Sequence, residues 1–453
     1  MKKHLFGISC VISILLVSQP SIEAQSASGI WISPAELALL PTSSPAWDSV
    51  FSQANSICAT PNLADQDDSA NVCILAKALV FARIGGGGYR SDVVAALRSI
   101  VDLGAYNGRA LALGREIGAY VISADLISLP TYDPTLDQQF RAKIRELLTI
   151  FTSDGPASLI ECHETRPNNW GTHCGGARAA VAAYLGDTAE LARVAQVFKG
   201  WLGDRSSYSG FVYGDLSWQC DPSQPVGINP AGCMKDGHSI DGVLADDQRR
   251  GGSFAWPPPK VNYVYESLQG TLLQATILHR AGYDAFNWVD KALVRAYGWL
   301  HEQANFPTAG DDTWQPHVAN YFYGVSFPAP VPSSPGKNLG WTDWVFGLES
   351  APPSPEPTPD TTAPIISSVS ASRIKAVTAT IQWLTDEPST TQVEYGTTTA
   401  LGQSTAAVQT LALSHSQNLN KLQKNTTYYY RVRSADAAGN AAVSSIFAFT
   451  TAK

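Results

Sequence analysis

The chain is poor in charge and, beyond its first residues, in long apolar runs. Charged residues make up 15% of its 453 positions and the formal net charge is −8. Binding to nucleic acid or to an anionic membrane needs clustered Lys and Arg, and the sequence offers no such excess, so neither partner is expected. After residue 24 no stretch approaches the roughly 20 apolar residues that a bilayer-crossing helix requires. The glycine run Gly85-Gly86-Gly87-Gly88 lacks the Gly-Lys-Ser/Thr that completes a phosphate loop and reads as a flexible turn. Cysteine and histidine come close only at Cys162-His163-Glu164 and His173-Cys174, a spacing that fits no zinc pattern. No metal and no cofactor is expected.

What is present begins with a leader. Lys2 and Lys3, the apolar run from Ile8 to Val17 and Ser21-Ile22-Glu23-Ala24 predict a secretion signal over residues 1–24, cleaved after Ala24. The mature protein is expected outside the cytoplasm, extracellular or periplasmic, as a monomer. Cys10 falls in the leader, and the other six cysteines form three sequence-close pairs: Cys58 with Cys73, Cys162 with Cys174, and Cys220 with Cys233. An even number in an exported chain favours three local disulfides, although six cysteines permit 15 connectivities. The 12 tryptophans and 17 tyrosines suit a protein that stacks sugars, and suit an aromatic core equally well.

A chain of this length fits one large domain and one small one. Helical periodicity is predicted over Ala70–Ile84, Ser91–Leu103, Arg109–Leu129 (closed by Pro130), Leu136–Thr152, Asp187–Leu202, Tyr263–Ala281 and Ala285–Ala304. Short helices in antiparallel succession suggest hairpins in a ring, so residues 25–350 are expected to be mainly α, an incomplete α/α toroid. Residues 205–260 lack periodicity and read as functional loops. Residues 351–362 are a proline-rich linker. Residues 363–453 alternate apolar and polar side chains in short runs, as a small all-β sandwich does.

The densest chemistry lies at Arg166-Pro167-Asn168-Asn169-Trp170-Gly171-Thr172-His173-Cys174. A helix opening near Asn169 puts Asn169 and His173 four residues apart on one face. An Asn-Asn pair alone is usually a helix cap. Two further clusters can join it: His238 with Arg249 and Arg250, and Lys260-Val261-Asn262-Tyr263-Val264-Tyr265-Glu266. Amides, histidine, tyrosine and a basic residue suit β-elimination on a uronic acid polymer. The substrate carboxylate must be neutralised, the C5 proton removed and the leaving oxygen protonated. Tyrosine, with a reference pKa of about 10, needs a basic neighbour to act as base, and Arg249, Arg250 or Lys260 can supply it.

Several motifs carry a resemblance. Gly114-Arg115-Glu116 to Asp125-Leu126, Arg166 to Trp170, Asn262 to Gly270 and His279-Arg280-Ala281-Gly282-Tyr283 make residues 45–347 similar to the alginate-lyase-like superfamily of polysaccharide lyases, which have α/α-toroid folds. The resemblance implies that Asn169 neutralises the carboxylate and that Tyr263 is the catalytic tyrosine. Trp170 stands where better-known members have histidine, so that role passes to His173 or to His238. Trp383, Val393-Glu394-Tyr395-Gly396, Tyr428 to Val432 and Asp436 to Asn440 resemble a bacterial fibronectin type III module. The expected activity is a metal-independent lyase acting on an acidic polysaccharide of the alginate, polymannuronate or glucuronan type. Asn169, His173, Tyr263 and Arg250 are the expected catalytic residues. Arg166, Asn168, Trp170, His238, Arg249, Lys260 and Tyr265 are the expected substrate contacts. The rivals are a glycoside hydrolase using a carboxylate pair from Asp241, Asp246, Asp247 and Glu266, and a non-catalytic polysaccharide-binding protein.

Overall fold

The computed structural model describes residues 29–153, 155, 158–347, 362–436 and 439–453. The leader at 1–24 and the linker, apart from Thr362, lie outside the described residues. The chain divides into two compact units between Ala351 and Pro352.

The first unit is mainly helical. Its elements are α1 (Pro34–Leu39), α2 (Pro45–Ala54), α3 (Ala70–Ile84), α4 (Gly87–Val101), α5 (Ala110–Leu126), α6 (Leu129–Tyr132), α7 (Pro134–Thr149), α8 (Leu159–Thr165), α9 (Asn169–Leu185) and α10 (Thr188–Leu202). A two-stranded ribbon follows, β1 (Met234–Lys235) and β2 (His238–Ser239), then α11 (Ala245–Gln248), α12 (Tyr263–Arg280), α13 (Trp288–Gly298), α14 (Gln315–Tyr323) and α15 (Thr342–Val345). Sequence signals explain most of the starts and stops. Ser33 and Glu36 form a capping box on α1, and Asn168 caps α9 by accepting from the Trp170 N–H at 3.2 Å. Gly186, in the left-handed region, ends α9. Two expected boundaries shift. α5 ends at Leu126, and Pro130 instead opens α6 in its first turn, where its missing N–H costs no bond. α4 starts at Gly87, inside the expected flexible turn, while Gly85 and Gly86 make the reversal with φ of 79° and 108°.

The centre of the unit is α9, packed against α5 and α12. All three are buried nearly all round, which accounts for their lack of a polar face. Their approach is close because the contacts are small residues. A Cβ on Gly114 would lie 2.9 Å from the Cys174 nitrogen. One on Gly270 would run into the backbone of Thr172 and His173. The glycines therefore fix where His173 sits.

Two disulfides form, Cys58–Cys73 and Cys220–Cys233, with Cα separations of 5.7 and 6.0 Å. The expected third does not. Cys162 and Cys174 are free and buried, the first 3.4 Å from the Trp170 carbonyl and the second 3.5 Å from that of Ala110. Burial, and then the hydrogen bond to Cys162, push the Cys174 thiol well above its ordinary pKa. Each thiol instead sits against a backbone carbonyl within the core.

The second unit is all-β and antiparallel: β3 (Ile366–Ser372), β4 (Ala379–Gly396), β5 (Gln403–Ser404), β6 (Val408–Leu419), β7 (Thr427–Ala435), β8 (Ala441–Val443) and β9 (Phe447–Thr450). Its first half pairs β4 with β3 and β6, and its second half pairs β4 with β5 and β7. The register shifts around Ser389, so the sheet curls along this one strand. Ile381, Trp383, Tyr428, Tyr430, Val432 and Phe449 fill its separate core. Trp383 stacks on His415 at 4.9 Å and donates to Ser434 at 3.0 Å.

Candidate functional site

The site is assembled where the N-terminal turns of α9 and α12 meet. Asn169 is the first residue of α9, and its N–H donates to Asp247 Oδ1 at 3.1 Å. Its side-chain oxygen is buried and has no hydrogen-bond partner among the described residues. His173, one turn on, is wholly buried, and its Nε2 also lacks a partner among them. Asn338 Nδ2 lies 3.3 Å from His173 Nδ1. With the amide oriented that way, Nδ1 accepts and the ring proton resides on Nε2. Nε2 faces Glu266 Oε2 at 3.9 Å. Burial, then the charges of Arg115 and Lys337, hold His173 well below its ordinary pKa, so it is a neutral donor.

Glu266 lies on α12 one turn after Tyr263. It contacts Arg115 of α5 and lies 3.8 Å from Lys337 Nζ. Arg115 is 5% exposed and Lys337 19%, so both cations are held out of water in the same place. Asp67 reaches both from a surface loop, at 3.5 Å to Arg115 and 3.2 Å to Lys337. Asp311 pairs with Lys337 at 3.0 Å. Behind them, Asp312 accepts from Gln269 and Gln315, both at 2.7 Å, and burial raises its carboxyl to about 6.

The second acidic pair supports the first turn of α9. Asp246 accepts a hydrogen bond from Asn168 Nδ2 at 3.2 Å, from the Gly214 N–H at 2.9 Å and from Arg249 Nε at 2.7 Å. Burial drives Asp247 up to about 8, against the Asn169 N–H that lowers it and with the charge of Asp246 raising it.

The expected residues divide accordingly. Asn169 and His173 share a buried face, as the spacing predicts. Tyr263 heads α12 and is 40% exposed, with the Arg250 guanidinium 3.9 Å from its ring centre. Asn168 is the cap, and Arg249 is occupied by Asp246. Arg166 lies 6.0 Å over Trp170. His238 stacks on Trp256 at 4.2 Å and 8°. Lys260 is exposed. Tyr265 is corrected: it points into the core, fully buried, and its hydroxyl donates to the Phe306 carbonyl. Two positions from Tyr263 on a helix, it faces about 200° away. Of the four rival carboxylates, Asp241 is tied to Arg295, Asp246 to Arg249, and Asp247 accepts from the Asn169 N–H, which leaves Glu266 facing Arg115 and Lys337. Sequence reasoning did not assign a role to Arg115, Lys337, Asn338, Asp67 or Asp311.

The arrangement is a partly open carboxylate, two desolvated cations and a neutral imidazole N–H. It can bind an anion and activate water. Among the described residues no group of three or more His, Cys, Asp or Glu side chains stands close enough to hold a metal ion.

Residues 366–451 match a known family, described as Purple acid Phosphatase, N-terminal domain. The match spans the strands of the second unit. No curated protein matches the chain. This finding contradicts the lyase expectation and overturns the resemblance to the alginate-lyase-like superfamily. Lyase activity on a polyuronate is withdrawn with it. The local features that suggested elimination, an amide, an imidazole and a tyrosine near basic residues, serve equally to hold a phosphoryl group.

Proposed function

We propose that the helical unit hydrolyses a phosphoester. The observation that carries this reading is the convergence of Arg115, Lys337 and the His173 Nε2–H on Glu266. The two cations and the imidazole donor neutralise the phosphoryl oxygens. Glu266 takes a proton from water, whose oxygen attacks phosphorus. The bond to the ester oxygen breaks, and the leaving oxygen takes a proton from Tyr263, which Glu266 later restores. Products are an alcohol and phosphate, so atoms and charge balance. Asn169 adds an amide to the same face of α9, and Arg250 steadies Tyr263. The family match at residues 366–451 supports the substrate class.

For the architecture, consecutive helices pack on one another (α3 on α4 and α5, α9 on α8 and α10), which supports helical hairpins in an incomplete α/α ring. The curled antiparallel unit supports a fibronectin type III-like accessory module at residues 363–453. Arg166, Trp170, His238 and Lys260 are assigned to the rest of the substrate, whereas Asn168 and Arg249, both engaged by Asp246, shape the first turn of α9. An exported protein with its leader at 1–24 is supported by the two disulfides. Among the described residues no helix is long and apolar enough to cross a membrane.

The test is phosphate release from a panel of phosphomonoesters and phosphodiesters. Glu266→Gln should lower kcat by about 10²-fold or more while the circular dichroism stays native. A wild-type protein that releases no phosphate from any ester, or a Glu266→Gln variant as active as wild type, overturns the proposal.

A further inference from the structure

Two acidic side chains sit where an anionic ligand would sit. Asp67 bridges Arg115 and Lys337 through one oxygen, and Asp311 pairs with Lys337 as well. The acids are far more exposed than the cations: 63% for Asp67 and 38% for Asp311, against 5% for Arg115 and 19% for Lys337. A buried cation needs a partner, whereas a carboxylate largely in water loses little on release. The loop around Asp67 does not depend on that side chain for its shape. Asn62 N–H is held by Asp68 Oδ2 at 2.9 Å, Ala70 N–H by Asp68 Oδ1 at 3.0 Å, and Asp67 N–H by Asp65 Oδ1 at 3.0 Å. The Asp67 carboxylate is therefore free to leave while its backbone stays.

We infer that Asp67 and Asp311 are built-in competitors for the anion-binding cations and determine which anions enter the site. This rests on the phosphoester reading of the same site. An incoming group must displace two carboxylates already in place. A phosphoryl dianion does so, because its several oxygens reach both cations at once. A simple monocarboxylate brings no more than Asp67 already offers. Partial desolvation opposes the charge on Asp67, but Lys337 and then Arg115 outweigh it and hold the carboxyl below its usual range. The competitor is therefore charged at neutral pH.

The experiment is calorimetric titration of the full chain with inorganic phosphate and, separately, acetate. Wild type, Asp67→Asn, Asp311→Asn, the double variant and Arg115→Gln are compared. The double variant should bind phosphate about tenfold or more tightly than wild type, the value of removing like charge beside the ligand. It should also acquire acetate binding. Arg115→Gln should lose phosphate binding. Unchanged or weaker phosphate binding in folded Asp67→Asn and Asp311→Asn proteins overturns the inference, as does phosphate binding by none of the five. Tightened phosphate binding in a protein that hydrolyses no phosphoester supports the competitor role and overturns the hydrolase reading instead.

Discussion

Asp247 shows how one buried side chain links the site to stability. Its carboxyl stays protonated up to about pH 8 in the fold, because burial penalises the charged form. In the unfolded chain it ionises near its ordinary value, about 4. The folded state thus binds the extra proton between those limits. The stabilisation is full below the unfolded pKa and is lost as pH rises towards the folded one. Asn at this position keeps an oxygen for the Asn169 N–H and cannot ionise. The melting temperature of Asp247→Asn should therefore depend less on pH than that of wild type between about pH 4 and 8. Thermal melts at intervals of one pH unit decide it, and parallel wild-type and variant curves would refute the role.

The residues around it show what the sequence could and could not tell. The placement of Asn169, His173 and Tyr263 was legible because each lies in a local pattern: the residue after a cap, a four-residue helical repeat, a helix start. Their partners come from elsewhere in the chain. Lys337 and Asn338 lie in a stretch rich in proline, serine and glycine, with no period to orient them. Arg115 sits within an apolar helix, where its neighbours in sequence say nothing of Glu266, far along the chain. Only tertiary packing joins them. Tyr265 misled for the opposite reason, since an aromatic beside a candidate site residue in sequence stood on another face of the helix.

Among the helices, α5, α9 and α12 succeed or fail together. The bounds of α9 were visible from its Asn168 cap and Gly186, and the extents of α5 and α12 from helical periodicity. Their mutual approach was not, since a glycine for close packing reads like any glycine in a helix. Gly270 is the sharpest case, because an added methyl meets the backbone of Thr172 and His173 and not a flexible side chain. Gly270→Ala should destabilise the protein by about 1–3 kcal/mol despite alanine's better helix propensity. Because it displaces His173, it should lower phosphoester turnover as well. Gly298 is the control, since a methyl added there would meet no atom within 4 Å, and Gly298→Ala should be neutral or slightly stabilising. Urea titrations compare the two. A Gly270→Ala protein as stable as wild type would mean that α9 and α12 can slide apart at no cost, and that His173 is not held by their contact.

The two units carry separate hydrophobic cores, one spanning the helices and one built around Trp383, Tyr428, Tyr430 and Phe449. Every residue assigned to water activation or anion binding lies before residue 351, whereas the family match lies wholly after residue 365. On the proposed reading labour is divided: the family match lies in the β unit, and the proposed chemistry lies in the helical unit. A chain ending at Ala351 should keep its helical circular dichroism and the phosphoester kcat of the full protein, because no named catalytic group is removed. If the β unit presents polymeric or tethered substrate, its loss should raise KM for large substrates and leave small esters untouched. Loss of kcat on a small ester by a folded truncated chain would overturn the assignment of the catalytic groups to the helical unit alone.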